Sequence, residues 1–240
     1  MIRTYAIGDI HGQIDLLHAA HARIMADRAR VGDAEAPIVH VGDLVDRGPD
    51  SRGVVEHLLK GQLAGQPWIV LKGNHDRMFS LYLRGERDPE LRAGLDYLNP
   101  KIGGQETLLS YGAARDAAPA EIAARVPEGH RAFLEGLPSH HLRGGVLFVH
   151  AGIRPGIALE DQTADDMSWI RGPFLEFTGP HPWLVVHGHT HRPAAEHLRN
   201  RVNIDSSAAY GGPLTAVVIE DDAVWELGPE GRVPLTPQPV

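Results

Sequence analysis

The sequence predicts an α/β fold built on parallel strands with right-handed crossovers, and three observations predict it. Short apolar runs at 2–7, 36–41 and 68–71 alternate with stretches whose apolar residues recur at helical spacing. Each run stops at a glycine followed by polar residues, as a strand leaving the core does. Repeated strand–helix alternation is the pattern of a sheet covered by crossover helices.

The elements follow in order. Residues 2–7 read as a strand, and 13–30 carry Ile14, Leu16, Leu17, Ala20, Ile24 and Met25 at roughly helical spacing. A second strand is predicted at 36–41. Ser51 is placed to cap a helix bearing Val54, Val55, Leu58 and Leu59, with Gly61 where it should stop. A third strand at 68–71 leads to a helix from about 77 to 84. The stretch 85–137 is polar and alanine-rich and reads as a helical insertion or flank within one domain spanning 1–240. Strands are expected at 140–142, 146–149 and 184–186. A terminal run of short, mostly antiparallel strands is expected at 195–198, 201–204, 214–219 and 223–226. The tail from Gly228 reads as loosely held.

Composition narrows the function. A chain of 240 residues, 42% hydrophobic and 22% charged, suits one sizeable globular core. No apolar run is long enough to cross a membrane as a helix, so no membrane partner is expected. The first residues enter a strand with no signal-peptide layout, and cysteine is absent, which excludes disulfides and thiolate metal sites. Both point to a cytoplasmic protein. The formal charge of −8 argues against a nucleic-acid partner, since such proteins neutralise phosphates with Lys and Arg.

The chemistry sits where the strands end. Five apolar runs hand over in turn to Asp9/His11, Asp43/Asp46/Arg47, Asn74/His75, His150 and His189. Each piece alone has an ordinary explanation: a turn, a solvated ion pair, a strand-end histidine. Their recurrence after strand upon strand does not. In open α/β sheets ligands bind beyond the carboxyl ends of the strands, so clusters scattered in sequence would meet in one place. Carboxylate, imidazole and amide oxygen without thiolate suit divalent ions such as Mn²⁺, Fe or Zn²⁺. Two such ions sharing a carboxylate are the usual device for hydrolysing phosphate esters.

GDIHG at Gly8, GDLVDRG at Gly42 and GNHD at Gly73, with HAG at His150 and GHT at Gly188, resemble the signature of the phosphoprotein phosphatases among the calcineurin-like metallophosphoesterases. IGGQETLLSYG, HAGIRPG, SWIRGPF and VNIDSSAAYGGPLTAV extend the likeness over nearly the whole chain, toward small bacterial and phage serine/threonine protein phosphatases. The resemblance implies two packed mixed β-sheets flanked by helices, with a dinuclear site at the rim. It implies that Asp9 and His11 hold the first ion, that Asp43 bridges both, and that Asn74, His150 and His189 complete the second. Manganese is the foremost metal implied, with iron or zinc as alternatives. It further implies His75, oriented by Asp46, as the acid for the leaving alkoxide, and Arg47 and Arg171 as the grip on the phosphoryl oxygens. Attack by a metal-bridging hydroxide would hydrolyse phosphoserine or phosphothreonine, and phosphotyrosine as a further substrate, on a phosphorylated protein or a small phosphoester.

Two departures stand out. The last motif reads GHTH where relatives of this kind often have GHTP, which makes His191 a candidate extra ligand; Asp76 stands where many members have glutamate. The rival enzyme readings are a symmetric dinucleoside tetraphosphate hydrolase and a broad small-molecule phosphatase. GHT is not expected in the former. A catalytically silent metal-binding interaction domain is the rival outside enzymes, and the His75/Asp46 pair speaks against it.

Overall fold

The computed structural model describes residues 2–239 and contains two mixed sheets packed face to face, with helices on both outer faces. The expected α/β class is borne out. The first sheet is built on β1 (Arg3–Ile7), β2 (Ile38–His40) and β3 (Trp68–Val70), all parallel and in that order. They are joined by α1 (Ile14–Val31) and α2 (Ser51–Leu63), and α3 (Asn74–Leu83) follows β3. Three short helices come next, α4 (Gly104–Ser110), α5 (Pro119–Arg125) and α6 (Glu128–Gly136).

The second sheet starts with the hairpin β4 (His140–Arg143) and β5 (Val146–Val149). After α7 (Ala164–Trp169) and α8 (Gly172–Leu175) it continues through β6 (Leu184–His187), β7 (Glu196–Leu198) and β8 (Arg201–Asn203), in the order β4-β5-β6-β8-β7. The chain then returns to the first sheet as β9 (Ala216–Glu220), β10 (Ala223–Gly228) and β11 (Gly231–Pro234), with β9 antiparallel to β1.

The period of two along the strands sorts the core. Ala6, Val39, Phe148, Val186, Val202 and Val217 meet between the sheets. Their neighbours Tyr5, Ile7, Ile38 and Val218 face the helices of the first sheet, while Leu147, Val149 and Val185 face Met167 and Phe174 of α7 and α8. The 85–137 stretch supplies Tyr97, Leu108, Tyr111, Ile122 and Leu134 to the same cluster as Tyr5 and Ile7, so it completes the core over the first sheet. Among the described residues no helix is long and apolar enough to cross a membrane.

The structure corrects three local expectations. The residue capping α2 is Asp50, whose side chain accepts the Gly53 amide at 2.7 Å, and not Ser51. Gly61 does not end α2. It lies within the helix, where a glycine is needed because the Trp68 ring is pressed against it; a Cβ there would come within 1.8 Å of that ring. The tail is not loosely held: β11 pairs with β10, and Gln238 bridges to Leu198. The terminal strands are mostly antiparallel as expected, β7 to β8 and β9 to both β1 and β10, with β8 parallel to β6 as the exception.

Candidate metal centre

The parallel strands of both sheets end at one rim, and the polar clusters meet there. Asp9 and His11 follow β1, Asp43, Asp46 and Arg47 follow β2, Asn74 and His75 open α3, His150 follows β5 and His189 follows β6. Two groups of ligand atoms form, His11/Asp43/His75 and Asp43/His150/His189, and Asp43 belongs to both. Its two oxygens face opposite ways: Oδ2 lies 3.4 Å from His11 Nε2 and Oδ1 lies 3.3 Å from His150 Nε2. Asn74 Oδ1 stands 3.0 Å from His150 Nε2 and 2.9 Å from His189 Nδ1. Atoms about 2.1 Å from one ion and at right angles to each other are about 3.0 Å apart, so these three are spaced as ligands of one cation.

The imidazoles are oriented from behind. His11 and His150 each turn Nδ1 to a backbone carbonyl, that of Val45 at 2.8 Å and of Val41 at 3.0 Å. An N–H facing a carbonyl leaves Nε2 with its lone pair toward the centre, which is how metal-binding histidines are held. Asp9 Oδ2 accepts the His189 amide at 2.9 Å, while Asp9 Oδ1 is buried with no hydrogen-bond partner. Buried polar atoms are rarely left so without a bound group to meet them. Burial and the charges of Asp205 and Asp43 push the Asp9 carboxyl well above its ordinary pKa. At Asp43 burial acts the same way, but the imidazoles of His150, His75, His11 and His189 reverse it and hold the carboxyl below the usual range. A hard-to-borderline cation matches this oxygen- and nitrogen-rich donor set.

The backbone is bent to make this arrangement. His11, Asp43, Asp46, Arg47 and His189 all have positive φ, between 46° and 73°. Asp and His tolerate the left-handed region better than most residues, and Arg47 is the exception. Glycine is required where the loops close on the carboxylates. A Cβ on Gly73 would lie 2.1 Å from Asp43 Oδ1, and one on Gly188 would lie 1.9 Å from Asp9 Oδ1.

Within the first group, His75 is also engaged from behind: its Nδ1 lies 2.7 Å from Asp46 Oδ2, and its Nε2 points toward the centre. Arg47 reaches over the cluster, Nη1 2.7 Å from His11 Nε2 and Nη2 2.9 Å from His75 Nε2. Arg171 is exposed and donates to Thr190 Oγ1 at 3.0 Å and to the His189 carbonyl at 3.3 Å. Both arginines line a cavity of about 150 Å³ with Asp43, Asn74, His75, Ile102, Trp169 and His189. A larger cavity of about 660 Å³ lies near Thr4, Val146 and Leu184, at the other end of the strands, and contains none of the motif residues. Chemistry, not volume, marks the site.

His191 is exposed beside Tyr210, ring centroids 5.0 Å apart, and falls in neither ligand group. Four supporting residues were not foreseen. Tyr97 and Thr107 donate to Asp46 Oδ1 at 2.5 and 2.7 Å. Asp76 accepts the Leu44 and Gly73 amides, both at 2.9 Å, tying the loop after β2 to the start of α3. Buried there, next to Asp43, its carboxyl is pushed up to about 8. Asp205 is buried close enough to Asp9 and Asp43 to raise their mutual repulsion. GNHD, IGGQET and VNIDSS contain Asp76, Thr107 and Asp205, so the sequence held a signal for three of the four.

A fold of two mixed sheets with paired His/Asp groups at its rim is that of a metal-dependent phosphoesterase. The chain belongs to the calcineurin-like phosphoesterases, whose sequence model matches residues 2–218. It is 27% identical over 235 residues to the asymmetrical bis(5′-nucleosyl)-tetraphosphatase PrpE of Halalkalibacterium halodurans, covering 88% of this chain and 87% of that one. The PrpE of Anoxybacillus flavithermus is 26% identical over 234 residues, with 88% of both chains covered. Among solved structures, a cold-active protein-tyrosine phosphatase of a psychrophilic Shewanella superposes with a TM-score of 0.63 at 17% identity, over 98% of this chain and 81% of that one. The last likeness is one of fold. The narrower resemblance to small serine/threonine protein phosphatases is not matched by the names of these curated relatives, and family membership stands at the broader level.

Proposed function

We propose that the protein is a dinuclear phosphomonoesterase acting on phosphoserine and phosphothreonine side chains, and on phosphotyrosine as well. The observation that carries this reading is the His75–Asp46 pair, 2.7 Å apart, with the second imidazole nitrogen turned to the centre. A serine alkoxide is a poor leaving group and needs a proton as the P–O bond breaks. A nucleotide leaves as a phosphate of low pKa and needs far less help. A built-in acid therefore favours the alkyl ester.

In this reading Asp9, His11 and Asp43 hold one ion and Asp43, Asn74, His150 and His189 the other, with manganese the foremost candidate. The ions, when bound, bring the pKa of water from about 15.7 toward 7 and draw charge off the phosphoryl group. Arg47 and Arg171 grip phosphoryl oxygens, since a guanidinium has only donors to offer and matches an anion in fork geometry. Asp46 fixes the His75 tautomer so that Nε2 delivers the proton.

A second reading, hydrolysis of dinucleoside tetraphosphates, is supported by the name of the PrpE relatives. Competition between a phosphoserine peptide and diadenosine tetraphosphate for one enzyme sample separates the two. The His75 role has its own test. His75→Asn should cost ~10²–10⁴-fold in kcat on the peptide, retain both ions, and cost less on an aryl phosphate with a good leaving group. Equal losses on both substrates would assign His75 another task.

A further inference from the structure

Four histidines meet away from the rim, between α1, α2 and β2. His18 and His21 lie three apart on α1, His57 lies on α2 and His40 ends β2. His40 faces the helices, as Ile38 does, because Val39 between them points to the inter-sheet core. His21 and His40 are buried, His57 is half-buried and His18 is exposed. Trp68 of β3 stacks on His21, ring centroids 4.4 Å apart.

The hydrogen positions follow from the outermost acceptor. His40 Nδ1 lies 3.3 Å from the Ile69 carbonyl, which only an N–H can face. His40 Nε2 therefore has the lone pair, and His21 Nε2, 2.9 Å away, donates to it. That leaves His21 Nδ1 as a lone pair directed at His57 Nε2, 3.1 Å away. Burial keeps the chain neutral, holding His21 down to about 2 and His40 to about 3.

A histidine that donates one N–H inward and offers the other nitrogen outward is prepared as a metal ligand. Two nitrogens each about 2.05 Å from a tetrahedral ion are about 3.3 Å apart, close to the His21–His57 separation. His18, one turn before His21 on the same face, has its ring centroid 4.7 Å from that of His57. Exposed, and with no hydrogen bond among the described residues, it is free to turn a nitrogen into the gap.

We propose that His18, His21 and His57 form a further metal site for one borderline transition-metal ion, Zn²⁺, Ni²⁺ or Cu²⁺, that ties α1 to α2. Imidazole ligands without carboxylate select such ions over Mn²⁺ or Mg²⁺, in contrast to the rim, where carboxylates and an amide oxygen stand beside the imidazoles. Binding asks His57 only to move its hydrogen from Nε2 to Nδ1, so no proton is released. Water completes the coordination.

The test uses the protein with its own metals in place, dialysed against Zn²⁺ and then desalted. Wild type should retain one more ion per chain than His18→Asn or His57→Asn, whose turnover with Mn²⁺ should be unchanged. Titration with Cu²⁺ should quench Trp68, whose ring centroid is 5.2 Å from that of His57, in wild type only. Equal zinc content in all three proteins, or quenching that persists undiminished in His57→Asn, would overturn the site.

Discussion

Tyr97 donates its hydroxyl to Asp46 Oδ1 across 2.5 Å, and both groups are buried. Thr107 donates to the same oxygen, which leaves Oδ2 to meet His75 Nδ1. Asp46 is thus held on one side so that it can hold His75 on the other. A hydrogen bond to a charged group contributes roughly 1.5–3 kcal/mol. Tyr97→Phe should lower kcat about tenfold on a phosphoserine peptide, with KM and metal content unchanged. Combined with Asp46→Asn, its effect should largely vanish, because both act through one contact. A change confined to KM would place Tyr97 in substrate binding instead.

Asp43 is the one carboxylate common to both ligand groups. Asp43→Asn should lower the occupancy of both ions as well as the rate, since the shared charge is lost. Metal analysis after gel filtration decides it. Loss of only one ion per chain would mean that the carboxylate does not bridge.

Arg47 and Arg171 line the cavity without offering a lone pair to a cation. Arg47→Ala and Arg171→Ala should each raise KM and the inhibition constant for inorganic phosphate about tenfold or more, leaving metal content intact. Arg47 should matter more, because its guanidinium reaches over His11 and His75 while Arg171 is tethered to Thr190. Unchanged phosphate inhibition in either variant would remove that arginine from the anion site.

The buried His21 and His40 predict acid sensitivity. Burial holds their folded-state values near 2 and 3, whereas an unfolded histidine takes up a proton near 6.5. Below pH 6.5 the unfolded chain therefore binds more protons, and stability falls as pH drops toward those folded values. Above pH 6.5 these groups contribute no slope. The limit is about 1.4 kcal/mol per pH unit per histidine. Urea midpoints should drop between pH 7.5 and 5, and less so in His21→Gln; an identical slope in that variant would contradict the assignment.

The site was legible because its residues come as motifs at the ends of apolar runs, and one topological rule gathers such ends. Tyr97 was not, because a tyrosine outside any of the motifs gives no local sign that it will reach Asp46, 51 positions away. Helix and strand positions followed from spacing, but the partition into two sheets did not. β8 and β9 look alike as short apolar runs, and only packing against β6 or β1 sends them to different layers. β11 was missed for the same reason, since its few residues gain their order from β10. Gly61 shows the reverse case: a residue that often marks a helix end stands inside one, where it makes room for the neighbouring Trp68 ring.

Five side chains of the rim sit on left-handed backbone, and each such residue costs on the order of 1–3 kcal/mol that the rest of the fold must offset. The direction of easiest improvement for the fold is therefore away from its chemistry. Glycine at Asp46 or Arg47 would relieve the backbone while removing the carboxylate that meets His75 or the guanidinium that reaches over the cluster. A screen for heat resistance that ignores turnover would collect such replacements first, and its hardiest survivors would be dead enzymes. Selection for catalysis has to hold this rim in place against the polypeptide's own preference, generation after generation.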